Sequence, residues 1–90
     1  MYKKLERSKT FLKDLQKISF SNEHYSKYVV YLGKILSNQS LPPEALDHAL
    51  KGEYSNYREF HVSGDLLVIY KTTEEIIYLV RIGTHSQLFK

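Results

Sequence analysis

A chain of 90 residues, 42% apolar and 26% charged, holds one domain over residues 1–90 with a small core, which excludes a two-core protein and a disordered one. Without cysteine it has no disulfide, zinc ribbon or thiol nucleophile, which suits a reducing cytoplasm. No apolar run reaches the ~18 residues that span a bilayer, no signal-peptide core follows Met1–Arg7, and the net charge of +3 is modest for a nucleic-acid partner. The distribution of charge says more than its sum. Lys3, Lys4, Arg7, Lys9, Lys13 and Lys17 crowd the first seventeen positions against only Glu6 and Asp14, so the basic face is N-terminal.

In chain order, residues 2–7 alternate weakly and predict a short strand. Ser8 is placed to cap a helix over 9–18, whose Phe11, Leu12, Leu15 and Ile18 share one face. Lys9, Lys13 and Lys17 recur on a different face, either as an ordinary solvated surface or as a stripe for phosphate or acidic groups. Ser21 or Asn22 caps a second helix to Leu36, with Tyr25, Tyr28, Val29, Leu32, Ile35 and Leu36 as its apolar stripe. Pro42-Pro43 forbids its continuation. The two helices read as a hairpin, and His24 as a surface residue. Leu41–Tyr54 then reads as an irregular connection, long enough to carry function. From Tyr57 the period becomes that of strands, over 57–62, 66–71 and 76–82, with Ser63-Gly64 and Thr73-Glu74 as hairpin turns. Leu66–Tyr70 is apolar on both faces and is therefore the central strand. The fold class is α+β: an N-terminal strand, then a two-helix hairpin packed on a mainly antiparallel sheet with a three-strand C-terminal meander.

Those turns set a register. His61 would pair with Leu66 and Leu66 with Arg81, so that His61 and Arg81 flank one residue on one face, their backbones ~10 Å apart. Asp65 would lie at the turn beside them, with His85 and Phe89 folding over that end. Two imidazoles and a guanidinium suit cleavage of RNA by its own 2′-hydroxyl: one group takes the 2′ proton, another protonates the departing 5′-oxygen, and the cation binds the phosphate oxygens. Phe89 could stack on a base. Each residue also has a purely structural reading. His48 could close the Asp47 turn, His61 could be a half-buried strand histidine, Arg81 and Glu59 a cross-strand ion pair, and Phe89 a plug of the core. A zinc site from His48, His61 and His85 is a further reading, although no H-x₃₋₅-H pair is present.

The stretch Asp47-His48-Ala49-Leu50-Lys51-Gly52, then Tyr57-Arg58-Glu59-Phe60-His61-Val62, Asp65, Ile69-Tyr70 and Arg81-Ile82-Gly83-Thr84-His85-Ser86-Gln87-Leu88-Phe89, resembles the YafQ-type branch of the RelE/ParE toxin superfamily. The pattern covers about half the chain; the N-terminal half matches in layout only. The resemblance implies a type II toxin, a cytoplasmic endoribonuclease that cuts mRNA, often in the ribosomal A site, and is neutralised by an antitoxin. The branch's functional positions fall on His48, His61, Asp65, Arg81, His85 and Phe89. They imply His85 as general acid, His61 assisted by Asp65 as general base, and Arg81 on the phosphorane-like transition state. His48 would support phosphate binding or proton transfer, and the acid and base roles can be exchanged. No metal or other cofactor is required. Leu66 stands where a tryptophan occurs in this branch, which bears on codon preference.

Two other functions fit part of the pattern: a non-catalytic gyrase inhibitor, as on the ParE side of the superfamily, and an adaptor that binds RNA or an acidic partner through Lys9, Lys13 and Lys17. The same basic surface predicts the partner, an acidic antitoxin segment that lies across the basic and active faces and folds on binding.

Overall fold

The computed structural model describes residues 2–89. Strand β1 (Lys4–Arg7) leads into helix α1 (Lys9–Gln16) and helix α2 (Asn22–Leu36). The predicted caps form: the Ser8 hydroxyl accepts from the Phe11 N–H at 2.9 Å, and the Ser21 hydroxyl from the His24 N–H at 3.0 Å. α1 closes short of the predicted Ile18 because its end tightens into i→i−3 bonds, Lys17 N–H to Asp14 at 3.0 Å and Ile18 N–H to Leu15 at 3.2 Å.

The connection from Leu41 to Tyr54 is more ordered than the sequence predicts. It holds two 3₁₀ turns (Pro43–Ala45 and Gly52–Tyr54) with a two-residue strand, β2 (His48–Ala49), between them. Two residues carry no readable period, which is why the strand was invisible. Strands β3 (Arg58–His61), β4 (Leu66–Thr72) and β5 (Ile76–Thr84) follow, then the short helix α3 (His85–Leu88). The sheet runs β1-β5-β4-β3-β2, with β1 parallel to β5 and every other pairing antiparallel. β4 is the middle strand, as its apolar run predicts.

Alternation along β4 divides the core. Val68 and Tyr70 join Phe60, Leu79 and Ile82 under the helices, against Phe11, Tyr28, Tyr31, Leu32 and Ile35. Leu67 and Ile69 point the other way, into a smaller cluster with Leu88, Leu50, Tyr54, Tyr57 and Val80. Among the described residues, the second face is thus covered by α3 and the loop before β3.

Both predicted registers are corrected. His61 pairs with Leu67, because Val62 N–H and Ser63 N–H both reach back to the Leu66 carbonyl (2.8 and 3.3 Å) and the turn takes up an extra residue. Arg81 pairs with Ile69, and Leu66 with Thr84. A wider second turn, fastened by Thr73 to Ile76 (2.8 Å), and a bulge at Val80, where Ile69 pairs with Arg81 but Tyr70 with Leu79, together cause that shift. β1 pairs with β5 only as far as Leu79, and α1 takes over the free edge beyond it: Ser8 Oγ donates to the Val80 carbonyl at 2.9 Å, and Asp14 accepts from the Ile82 N–H at 3.2 Å. No helix among the described residues is long and apolar enough to cross a membrane.

Candidate active site

Period two along β3 sends Glu59 and His61 to the face of Leu67 and Ile69, the face without the long helices. Glu59 is almost wholly buried, and its Oε2 is the hub of the site: His61 Nε2 lies 3.0 Å away and His48 Nε2 3.4 Å. β2 brings His48 there by pairing it directly with Glu59. His48 Nδ1 is 2.6 Å from the Leu46 carbonyl, which can only accept, so Nδ1 carries a proton and Nε2 faces the carboxylate. An Nε2 lone pair against a carboxylate oxygen would repel, so this geometry favours a cation between them, either the proton of an imidazolium or a metal ion. The Leu46 backbone that offers its carbonyl has φ 51°, a left-handed conformation costing about 1–2 kcal/mol for a residue with a branched side chain.

The loop that carries His48 is pinned from behind. Asp47 Oδ1 accepts from the Tyr70 hydroxyl at 2.6 Å and from Arg58 Nε at 3.2 Å. Burial, then the Asp47 hydrogen bond, push the Tyr70 phenol far above its ordinary pKa, so it stays a donor at every physiological pH. For Arg58 burial acts downward, but hydrogen bonds with Tyr70 and Asp47 outweigh it and hold the guanidinium above its usual value.

His85 opens α3, which the sequence had merged into a tail. Its ring lies 5.5 Å from that of His61, centroid to centroid, and 5.8 Å from that of Phe89. Thr84 and Gln87 form a capping box, and Gly83 lets α3 lie close on β5: a Cβ there would meet Gln87 Oε1 at 2.8 Å and Leu88 Cδ2 at 3.3 Å. Asp65 is exposed and serves His85, accepting from its backbone N–H at 3.3 Å with His85 Nδ1 3.5 Å away. The pairing of Asp65 with His61 drawn from the sequence is therefore corrected: Glu59, two residues earlier on the same strand face, contacts His61 instead.

Arg81 forms no pair with Glu59. Its Nε and Nη2 donate to Asp14 at 2.7 and 3.0 Å, so helix α1 fixes the plane of the guanidinium while leaving the Nη1 edge outside the pair. Those hydrogen bonds, acting against burial, raise the Arg81 pKa further. Arg81 lies across Ile69 from Glu59, which puts their backbones ~10 Å apart. A cleft of about 250 Å³ beside it is lined by Asp14, Lys17, Arg81, Ile82 and Gln87. Of the basic stripe, Lys17 thus lines the Arg81 cleft, while Lys9 and Lys13 are exposed on α1 and line no part of it. Phe89 is part exposed and stands edge-on to Tyr54, centroids 5.7 Å apart, as a wall beside His85.

Sequence reasoning missed Glu59 as the hub and Asp14 as the anchor of Arg81. The i, i+2 spacing of Glu59 and His61 was a usable signal; for Asp14, 67 positions from Arg81, there was none. Glu59, His61 and His85 each offer one donor atom, all within 4.8 Å of one another, and His48 Nε2 adjoins the same carboxylate. Imidazole and carboxylate donors so arranged suit a zinc or copper ion.

Comparison with known proteins shows the family. The family model described as the bacterial toxin YafQ of type II toxin–antitoxin systems matches residues 3–90. The mRNA interferase toxin YafQ of Escherichia coli K12 is 36% identical over 87 residues, 94% of each chain, and a putative toxin YafQ of Haemophilus influenzae is 37% identical, covering 93% of this chain and 89% of that one. Among solved structures, an E. coli DinJ–YafQ toxin–antitoxin complex matches with TM-score 0.83 at 31% identity over the whole of both chains. A metal-bound toxin from Helicobacter pylori matches with TM-score 0.80 at 39% identity over 99% of this chain and all of that one. With a family model that matches from β1 through α3 and relatives well above 30% identity over nearly their full length, this chain belongs to the YafQ family of type II toxins.

Proposed function

We propose that this domain, residues 1–90, is the toxin of an antitoxin-controlled pair and cleaves mRNA in the cytoplasm by attack of a ribose 2′-hydroxyl on the adjacent phosphate. The observation that carries the reading is the Glu59 carboxylate held between His48 and His61, with the His85 ring tilted against that of His61. His61 donates Nε2–H to Glu59, so its neutral ring carries the lone pair on Nδ1 and can accept the 2′ proton. The 2′-oxygen then bonds to phosphorus as the bond to the 5′-oxygen breaks. His85, with Nδ1 turned toward Asp65, supplies a proton to the leaving oxygen. Products are a 2′,3′-cyclic phosphate and a free 5′-hydroxyl. Arg81, oriented by Asp14, and His48 as imidazolium take the charge that builds on the phosphorane oxygens. Every proton moves between imidazole and substrate, so no step needs a metal.

Phe89 would stack on a base beside the cut. Lys17 in the Arg81 cleft, with Lys9 and Lys13 on the same side of α1, would meet RNA phosphates or the acidic segment of the antitoxin. The toxin–antitoxin complex of the E. coli relative supports a cognate antitoxin here. The test is to map transcript 5′ ends in cells after brief induction of the wild type and of His85→Ala, because cells supply ribosomes. New in-frame ends with wild type alone are expected. Growth arrest without new ends would favour a gyrase-type target instead.

A further inference from the structure

Catalysis at the histidines leaves the lower half of the sheet face opposite the long helices without a role. From the histidines a run of rings descends that face: His85 to Phe89 at 5.8 Å, Phe89 to Tyr54 at 5.7 Å, and Tyr54 to Tyr57 at 5.8 Å. The Lys71 ammonium sits 5.9 Å above the Tyr57 ring. There the run opens into a cleft of about 610 Å³ between β1 and the β4–β5 hairpin, lined by Arg7, Tyr57, Lys71, Tyr78 and their neighbours. The register explains the grouping, since Tyr78 pairs with Glu6 on one side and with Lys71 on the other. The acid in the cleft, Glu6, is engaged by Lys4 at 3.3 Å, which leaves Lys71 as the cation on the Tyr78 face; Arg7 pairs with Leu79 and carries its charge toward Tyr28 on the other face. Phe89 in the run and Tyr78 in the cleft are each more than a third exposed.

We propose that this cleft is a second RNA subsite, which holds a nucleobase against Tyr78 and backbone phosphate against Lys71 while the strand's scissile bond lies at the histidines. The proposal rests on the ribonuclease reading and extends it to the substrate's length. From Leu67, opposite His61, to Lys71 is four residues of strand, ~14 Å, so a single strand can occupy both places. Exposed rings joined to cations along one face are the means by which proteins hold single strands without reading sequence. The geometry points to RNA rather than the antitoxin because the cleft continues into the reacting site through touching rings, and the Lys71 ammonium above Tyr57 matches a backbone phosphate beside a stacked base.

The test is photocrosslinking in cells fed 4-thiouridine, with His85→Ala as a non-cleaving trap and crosslinked peptides identified by mass. The expected result is nucleotide adducts both at residues 85–89 and in the cleft, on Tyr57, Tyr78 or their neighbours. Pairing Tyr78→Ala with Lys71→Ala should lower the cleft adducts at least ~5-fold, with an unchanged melting temperature showing that the fold is intact. Adducts at 85–89 alone would overturn the second subsite and leave the ribonuclease reading standing. Adducts at neither place would overturn both. Loss of co-purifying antitoxin in the double variant, with RNA adducts unchanged, would assign the cleft to the protein partner and overturn the proposal.

Discussion

Glu59 does at residue scale what no other side chain in the site can. Buried, it places an anion where two imidazoles converge, so it sets which nitrogen of His61 is protonated and holds His48 across from it. Replacing it with Gln keeps size and one acceptor but removes the charge. Glu59→Gln is expected to fold, and to slow RNA cleavage ~10²-fold, toward the lower end of the loss for a mispositioned general base. A cleavage rate within a factor of two of wild type, measured beside a melting curve, would remove Glu59 from the mechanism. At this scale the sequence was half legible. His48, His61, Asp65, Arg81, His85 and Phe89 could be named from the motif, because residue types and spacing survive in one dimension. Their partners could not: the resemblance set Asp65 beside His61 where it contacts His85, and the cross-strand reading of Arg81 with Glu59 gave way to Asp14, while two wider turns and a bulge displaced the registers.

The elements that matter most to the site are the shortest. β2 is two residues long and α3 four, and neither has a period to read, yet they deliver His48 and His85. The longer elements, with caps and apolar stripes, were legible within two residues at most ends. α3 stays in place through its capping box and through the absence of a side chain at Gly83. Gly83→Ala should push Gln87 out of that box and lift the helix from β5. Loss of the cap predicts ~1 kcal/mol of stability, read as a small fall in melting temperature, with a proportionally larger loss of cleavage because His85 moves. Unchanged cleavage in a folded Gly83→Ala would mean that α3 tolerates the displacement and that His85 needs no such seating.

On the scale of the whole molecule, the sheet separates stability from chemistry. One face carries the helices and most of the core; the other presents four donors that can take protons or a metal. Because the same atoms serve both, zinc should inhibit cleavage while stabilising the fold, and its affinity should rise with pH as protons stop competing for the imidazoles. Isothermal titration and melting with and without zinc would show this, and His61→Ala should abolish both effects. Zinc that stabilised His61→Ala as well as wild type would place the ion elsewhere.

β1 pairs with β5 over a sequence span of 72 residues, Lys4 with Ile76, and the Asp14–Arg81 clasp closes across nearly the same distance. A chain that ends before β5 can make neither that pairing nor that clasp, and is expected to be harmless. A message broken before the codons for β5 yields a chain without Arg81 and His85, and without the partner that β1 needs. The strand made first must wait for one made late before the sheet can close, and that long loop slows the closure. Toxicity is therefore tied to complete synthesis, which gives a newly made antitoxin time to meet its target before the target can cut.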